Sequence, residues 1–143
     1  YLLGDAVERA LGRVRFVVLY FTSLFGGGLG ALILDPGKFT AGASGAIYGL
    51  MGAALAGQRA AGVSMTDSGL IYVLLLNLAI TFGLPGISIG GHLGGLAAGF
   101  IGGWVLFDLA PRLKDRWMAA AGCAAIGVAC FVASLYVASN PLT

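Results

Sequence analysis

The sequence predicts an all-α fold, a polytopic bundle of transmembrane helices with five full spans plus the end of a preceding one. Three observations lead there. Hydrophobic residues make up 59% of the 143 and charged residues only 10%, where soluble domains carry roughly a quarter charged. The chain contains uncharged runs close to the roughly 20 helical residues that cross a bilayer core. Its charges gather in short clusters between those runs, and a net charge of +2 distributed in that way excludes nucleic acid as a partner.

Taken in order, Tyr1-Leu2-Leu3-Gly4 reads as the end of an apolar helix without its beginning. The chain is therefore expected to be an N-terminally truncated piece of a longer protein, one membrane domain over 1–143. No cleavable signal peptide is visible, since that needs a basic start ahead of an apolar run. Asp5 to Arg15, with Glu8, Arg9, Arg13 and Arg15, is too charged for hydrocarbon. Phe16 to Leu34 is an uncharged span, ended by the turn signal Asp35-Pro36-Gly37-Lys38.

A second span, poor in bulky residues, runs from about Ala41 to Gly57 and closes at Gln58-Arg59. The polar connection Gly62 to Ser68 offers Thr66, Asp67 or Ser68 as a helix cap. The third span starts near Gly69, contains Asn77, and breaks at Gly83-Leu84-Pro85-Gly86. Its shortness predicts a tilted or partly exposed helix, and Asn77 is expected to bond to a neighbouring helix. A fourth span covers Ile89 to Phe107, Asp108 to Arg116 is a charged loop, and residues 117–138 form an extra C-terminal span. Cys123 and Cys130 sit about 10 Å apart along that helix, too far for a disulfide, and read as small packing residues.

Alternation of the loops assigns sides. Arg9, Arg13, Arg15, Arg59, Arg112, Lys114 and Arg116 fall on one side, and Lys38 alone on the other, so the first side is cytoplasmic. Ser44 and His92 then lie near the outer ends of their helices, at similar depth.

The serine stands in Gly42-Ala43-Ser44-Gly45-Ala46-Ile47-Tyr48-Gly49. On the histidine helix Gly91, Gly95, Gly99 and Gly103 recur every fourth residue, a strip that lets another backbone approach closely. His92 shares nearly the same face as Gly95, Gly99 and Gly103, and Ser44 shares a face with Tyr48. A short serine side chain reaches an imidazole on another helix only if the backbones pack tightly, and the glycines supply that closeness. A histidine in reach can take the hydroxyl proton as the oxygen attacks a carbonyl. Every carboxylate but Asp35 falls on the cytoplasmic side, and Asp35 sits in a loop. The expectation is thus a Ser-His dyad without a carboxylate, with Tyr48 holding the ring by contact. Backbone N–H groups at the start of the serine helix would meet the oxyanion.

Taken singly, these features have plainer meanings. Gly-x-Ser-Gly in a membrane helix is more often a packing motif than a catalytic one, a buried histidine can be a structural hydrogen-bonding group, and Tyr48 can be a packing aromatic. The serine segment also fails the Gly-x-Ser-x-Gly elbow pattern, because position 46 is Ala and no strand precedes it. The conjunction of side, depth, glycine-lined contact and inward face favours a site. A single histidine cannot build a metal centre with distant carboxylates, and no cofactor is expected.

Gly42-Ala43-Ser44-Gly45 with Tyr48, and His92-Leu93-Gly94-Gly95-Leu96-Ala97-Ala98-Gly99, resemble the paired motifs of the rhomboid intramembrane serine proteases. Glu8-Arg9 with Gly12-Arg13 is similar to the segment after that family's second helix, and Pro85-Gly86-Ile87-Ser88 to its loop before the histidine helix. The resemblance covers roughly Tyr1 to Phe107. It implies Ser44 as nucleophile, His92 as base, and Tyr48 packed on the imidazole. It also implies that Leu70 to Gly83 and the Leu84 to Gly91 loop gate the entry of a substrate helix. The family's oxyanion-binding His and Asn, on its second helix, would lie before Tyr1. Residues 117–138 resemble the extra helix of seven-helix members, with no catalytic part.

The expected partners are transmembrane protein substrates and the lipid bilayer, and the expected location is the plasma membrane, multi-pass, with the site toward the outer face. Two other readings stay open: a non-catalytic rhomboid-like protein that binds transmembrane helices, and a small transporter or structural bundle, for which glycine ladders are also expected.

Overall fold

The structure is a computed structural model that describes residues 2–36 and 43–140. Among the described residues there are six α-helices: α1 Leu2–Leu11, α2 Arg13–Leu34, α3 Ser44–Ala60, α4 Leu70–Gly83, α5 Ile89–Trp104 and α6 Arg116–Ser139. A π-helical turn, Val105–Leu109, and a 3-10 turn, Ala110–Arg112, carry the α5 axis onward.

The first helix does not stop at Gly4, as the sequence suggested, but continues to Leu11. Its charges share an exposed side, where Asp5 and Arg9 pair one turn apart, while Val7 and Leu11 turn inward and are buried. An amphipathic helix tolerates those charges beside the bundle, where a span could not. Gly12, at φ 80°, turns the chain into α2, a backbone region open to glycine without the Cβ penalty.

Among the described residues three stretches are long and apolar enough to cross a bilayer: Arg13–Leu34, Ile89–Arg112 and Trp117–Ser139. The other two predicted spans correspond to α3, with 17 residues, and α4, with 14. At 1.5 Å per residue these measure about 26 and 21 Å, short of a core of about 30 Å. Val128, Val132, Leu135 and Tyr136 on α6, like Tyr72, Leu75, Leu76 and Phe82 on α4, are exposed apolar side chains, which suits contact with lipid.

Glycine decides how the centre packs. Helix α5 lies between α3 and α2 and touches each with a different strip. Toward α3 a Cβ on Gly95 would overlap the Gly45 carbonyl oxygen, and one on Gly99 would overlap the Gly49 backbone. A Cβ on Gly103 would stand 2.6 Å from Ala53 Cα. The partners keep one register throughout, so α3 and α5 run parallel. Toward α2 the contacts are Gly90 with Gly30, Gly94 with Gly26 and Gly30, and Ala98 with Gly26. Their order reverses along the chain, so α2 and α5 are antiparallel. This second strip was not anticipated. Gly91, placed in the first strip by periodicity, faces its own helix start: a Cβ there would meet Ser88 Oγ at 3.0 Å.

Helix α6 packs on α2 through Cys123 and Gly127. Thr22 Oγ1 donates to the Cys123 carbonyl at 3.0 Å, and a Cβ on Gly127 would lie 2.8 Å from Thr22 Oγ1. Both cysteines are free thiols. Among the described residues Asn77 makes no interhelical bond of the kind expected; its Nδ2 donates to the Val73 carbonyl one turn back, at 2.8 Å. The geometry of a single helix already supplies that acceptor.

Candidate active site

Ser44 opens α3, and His92 is in the first turn of α5. Because the two helices run parallel and Gly45 packs against Gly91 and Gly95, both residues stand at the same end of the bundle. The junction is tight on a third side as well. A Cβ on Gly27 of α2 would lie 2.9 Å from the Gly91 carbonyl and 3.1 Å from Gly45 Cα. Backbone therefore meets backbone among α2, α3 and α5 beside the candidate pair.

The imidazole is half-buried and sits between α3 and α4. Tyr48, one turn beyond Ser44, stacks on it with ring centroids 4.0 Å apart and planes 17° from parallel. Thr81, near the end of α4, places its Oγ1 2.8 Å from His92 Nδ1 and 2.7 Å from the Tyr48 hydroxyl. Beneath these groups Tyr48, Met51, Leu55 and Leu74 form an apolar cluster with Leu96 and Phe100 against it, so α3, α4 and α5 hold the rings in a packed setting.

Ser44 is exposed, and among the described residues its hydroxyl has no hydrogen bond. The first helical bond of α3 runs from Ile47 N–H to the Ala43 carbonyl, at 3.1 Å. The N–H groups of Ser44, Gly45 and Ala46 therefore precede the intrahelical ladder, as the first donors of any helix do. They surround the serine at the positive end of the helix dipole. Gly42 lies outside the described residues.

Asp35 lies in the turn after α2, as its loop placement in the sequence suggested. It was given no part in the site, yet it is only 7% exposed and its carboxylate caps the start of the histidine helix. Asp35 Oδ2 accepts from Ser88 Oγ at 2.8 Å and from Gly90 N–H at 2.9 Å, and Ser88 Oγ accepts from Gly91 N–H at 2.9 Å. A carboxylate there complements the helix dipole and satisfies donors that have no intrahelical acceptor. It thereby fixes where His92 begins its turn. Among the described residues no cluster of three or more His, Cys, Asp or Glu could hold a metal.

Thr81 and Asp35 were both missed as members of this neighbourhood. The Ser88 cap was signalled by the Pro85-Gly86 break followed by a serine before an apolar helix, but its partner lies 53 positions earlier in the chain.

At the opposite end, Asp108 beyond α5 faces Arg59 of α3 and Arg112, both at 3.8 Å. Those charges tie the two central helices together where their glycine strip runs out.

Comparison with known proteins gives a consistent picture. The Rhomboid domain family matches residues 1–109. Rhomboid protease GluP of Bacillus subtilis (strain 168) is 35% identical over 101 residues, covering 68% of this chain and 20% of that protein. RHOMBOID-like protein 1 of Arabidopsis thaliana is 35% identical over 120 residues, 77% of this chain and 29% of the relative. Rhomboid-like protease 1 of Toxoplasma gondii is 34% identical over 134 residues, 88% of this chain and 45% of the relative. The chain thus spans less than half the length of these curated relatives. No solved structure matches. With the family match running over three quarters of the chain, and with apolar helices of membrane-spanning length, this is an integral membrane protein that belongs to the rhomboid family.

Proposed function

We propose that the protein is an intramembrane serine endopeptidase that cuts peptide bonds in or beside the transmembrane segments of other membrane proteins. The observation that carries this reading is the stacking of Tyr48 on His92 one helical turn from Ser44, at the end of a glycine-tight contact between their helices. Ser44 Oγ attacks the scissile carbonyl, and His92 takes its proton and returns it to the leaving amine. The acyl-enzyme is then opened by water. The N–H groups of Ser44, Gly45 and Ala46 face the charge that develops on the carbonyl oxygen. Gly45, Gly95, Gly99 and Gly103 keep the two helices close.

In this reading 1–143 is one membrane domain whose bundle crosses the membrane five times, with α3 and α4 as the short members. Alternating the loops assigns seven of the eight basic residues of the sequence to the side away from Ser44, and the enrichment of Lys and Arg on cytoplasmic sides supports a site that faces outward from a plasma membrane. Helix α4 and the loop that follows it, which ends at Ser88 where α5 begins and not at Gly91, form the entry for a substrate helix, and 117–138 is an added helix without a catalytic part.

The full-length protein, reconstituted in liposomes, is expected to cleave a transmembrane substrate near its outer end. Ser44→Ala and His92→Ala should lower the rate at least 1000-fold while thermal stability is retained. Cleavage by Ser44→Ala at the wild-type rate refutes the reading, and a cut at the cytoplasmic end refutes the orientation. A second reading, a rhomboid-like protein that binds transmembrane helices without cutting, is favoured by the lack of a hydrogen bond on the Ser44 hydroxyl among the described residues. Catalytic hydrogen bonds are often long before substrate binds, so the protease reading stands first.

A further inference from the structure

Three groups meet at the side-chain oxygen of Thr81. The Tyr48 hydroxyl is 2.7 Å away, His92 Nδ1 is 2.8 Å away, and the Asn77 carbonyl oxygen is 2.8 Å away. The residue is 2% exposed, so water does not compete at the junction. A hydroxyl brings one proton and two acceptor sites. A carbonyl only accepts, so the Thr81 proton goes to Asn77. Both lone pairs of Thr81 are then filled by donors, the Tyr48 O–H and the His92 Nδ1–H. Giving that proton to His92 or to Tyr48 instead would leave the Asn77 contact without one. A single assignment satisfies all three short contacts, and it fixes the imidazole tautomer.

We infer that Thr81 is a positioning residue for proton transfer at the Ser44-His92 pair, an inference that rests on the protease reading above. It holds His92 with its proton on Nδ1, so that Nε2 carries the free lone pair a general base needs. When the Ser44 O–H bond breaks and the new carbon–oxygen bond forms, the proton moves to Nε2. The ring then bears a positive charge and still donates from Nδ1 to Thr81. That bond becomes charge-assisted and is strengthened as the transition state forms. When the leaving amine takes the Nε2 proton, the starting tautomer returns. Tyr48 completes the triangle, since its ring lies on the imidazole while its hydroxyl donates to the same oxygen. A neutral hydroxyl thus occupies the place that a carboxylate fills in a catalytic triad. It comes from α4, a different helix from those that carry the pair.

The test uses the full-length protein in liposomes with a transmembrane substrate. Thr81→Val keeps the shape and removes the oxygen; Thr81→Ser keeps the oxygen. Thr81→Val is expected to lower kcat roughly 10-fold with KM unchanged, the size of one lost hydrogen bond, and Thr81→Ser should stay within about 2-fold of wild type. Thermal unfolding recorded on each variant separates this from loss of structure. Should Thr81→Val fail to fold, the pair Thr81→Val with Tyr48→Phe removes one of the two stranded donors and is read in the same way, against Tyr48→Phe alone. A folded Thr81→Val enzyme with wild-type kcat overturns the inference. So does a Thr81→Ser enzyme as slow as Thr81→Val. If the wild type and Ser44→Ala are equally inactive, the protease reading fails and takes this inference with it, an outcome distinct from an active wild type that is indifferent to Thr81.

Discussion

At the scale of residues, a carboxylate from the turn after α2 caps the helix that carries His92. Asp35 takes the Ser88 hydroxyl and the Gly90 N–H on a single oxygen, two residues before the imidazole. Asp35→Ala leaves those donors in a buried place, which costs about 1–3 kcal/mol. Thermal unfolding of the full-length protein should show that loss, with cleavage slowed as the α5 start loosens. Asp35→Asn retains an acceptor and should lose less. Equal stability of Asp35→Ala and wild type would refute the capping role. Ser44, Tyr48 and His92 stood out in the sequence because each is a chemically distinctive residue at a helical interval from small neighbours. Thr81 and Asp35 did not. A threonine within an apolar helix that bonds its own i−4 carbonyl is ordinary, and Thr81 also does that. Its second and third partners come from other helices, which no local pattern reveals. Asp35 meets Gly90 across 55 positions, a closure that only the packed bundle creates.

Among the elements, the meeting of α5 with α3 was legible because a strip of glycines every fourth residue admits few explanations in a membrane. The meeting of α5 with α2 was not, since Gly90, Gly94 and Ala98 form a strip one position away from the first and merge with it in a sequence this rich in glycine. Space around each glycine separates structural ones from incidental ones. Gly99→Leu would drive a side chain into the Gly49 backbone, and the expected outcome is a loss of about 3 kcal/mol or more with activity lost as well. Gly28, on α2, has open space where a Cβ would go. Gly28→Ala should leave stability unchanged or raised by up to about 1 kcal/mol, from helix propensity alone. Thermal unfolding and cleavage of the two variants check the contrast, and a fully active Gly99→Leu protein would contradict the packing account. The extent of α1 escaped notice for another reason: charge marks a segment unfit for hydrocarbon, yet says nothing against a helix lying beside it.

Across the whole molecule, the relative directions of the helices place the chemistry. Helices α3 and α5 run parallel because α4 returns the chain between them, and α2 runs against both. The first turns of α3 and α5 therefore coincide at one end, while Arg59, Asp108 and Arg112 gather at the other. Composition alone indicated a bundle of apolar helices. The number of spans was less legible, because length and hydropathy grade continuously from α2 to the short α3 and α4.

The central claim is that Ser44 is activated by His92 across two helices, and covalent labelling of the full-length protein tests it most directly. A fluorophosphonate probe, with the adduct located by mass spectrometry, is expected to modify Ser44 in the wild type and to fail in His92→Ala, with intermediate speed in Thr81→Val. An adduct on Ser44 that forms equally fast in wild type and His92→Ala, or no adduct on Ser44 in a protein that cleaves its substrate, would contradict the account.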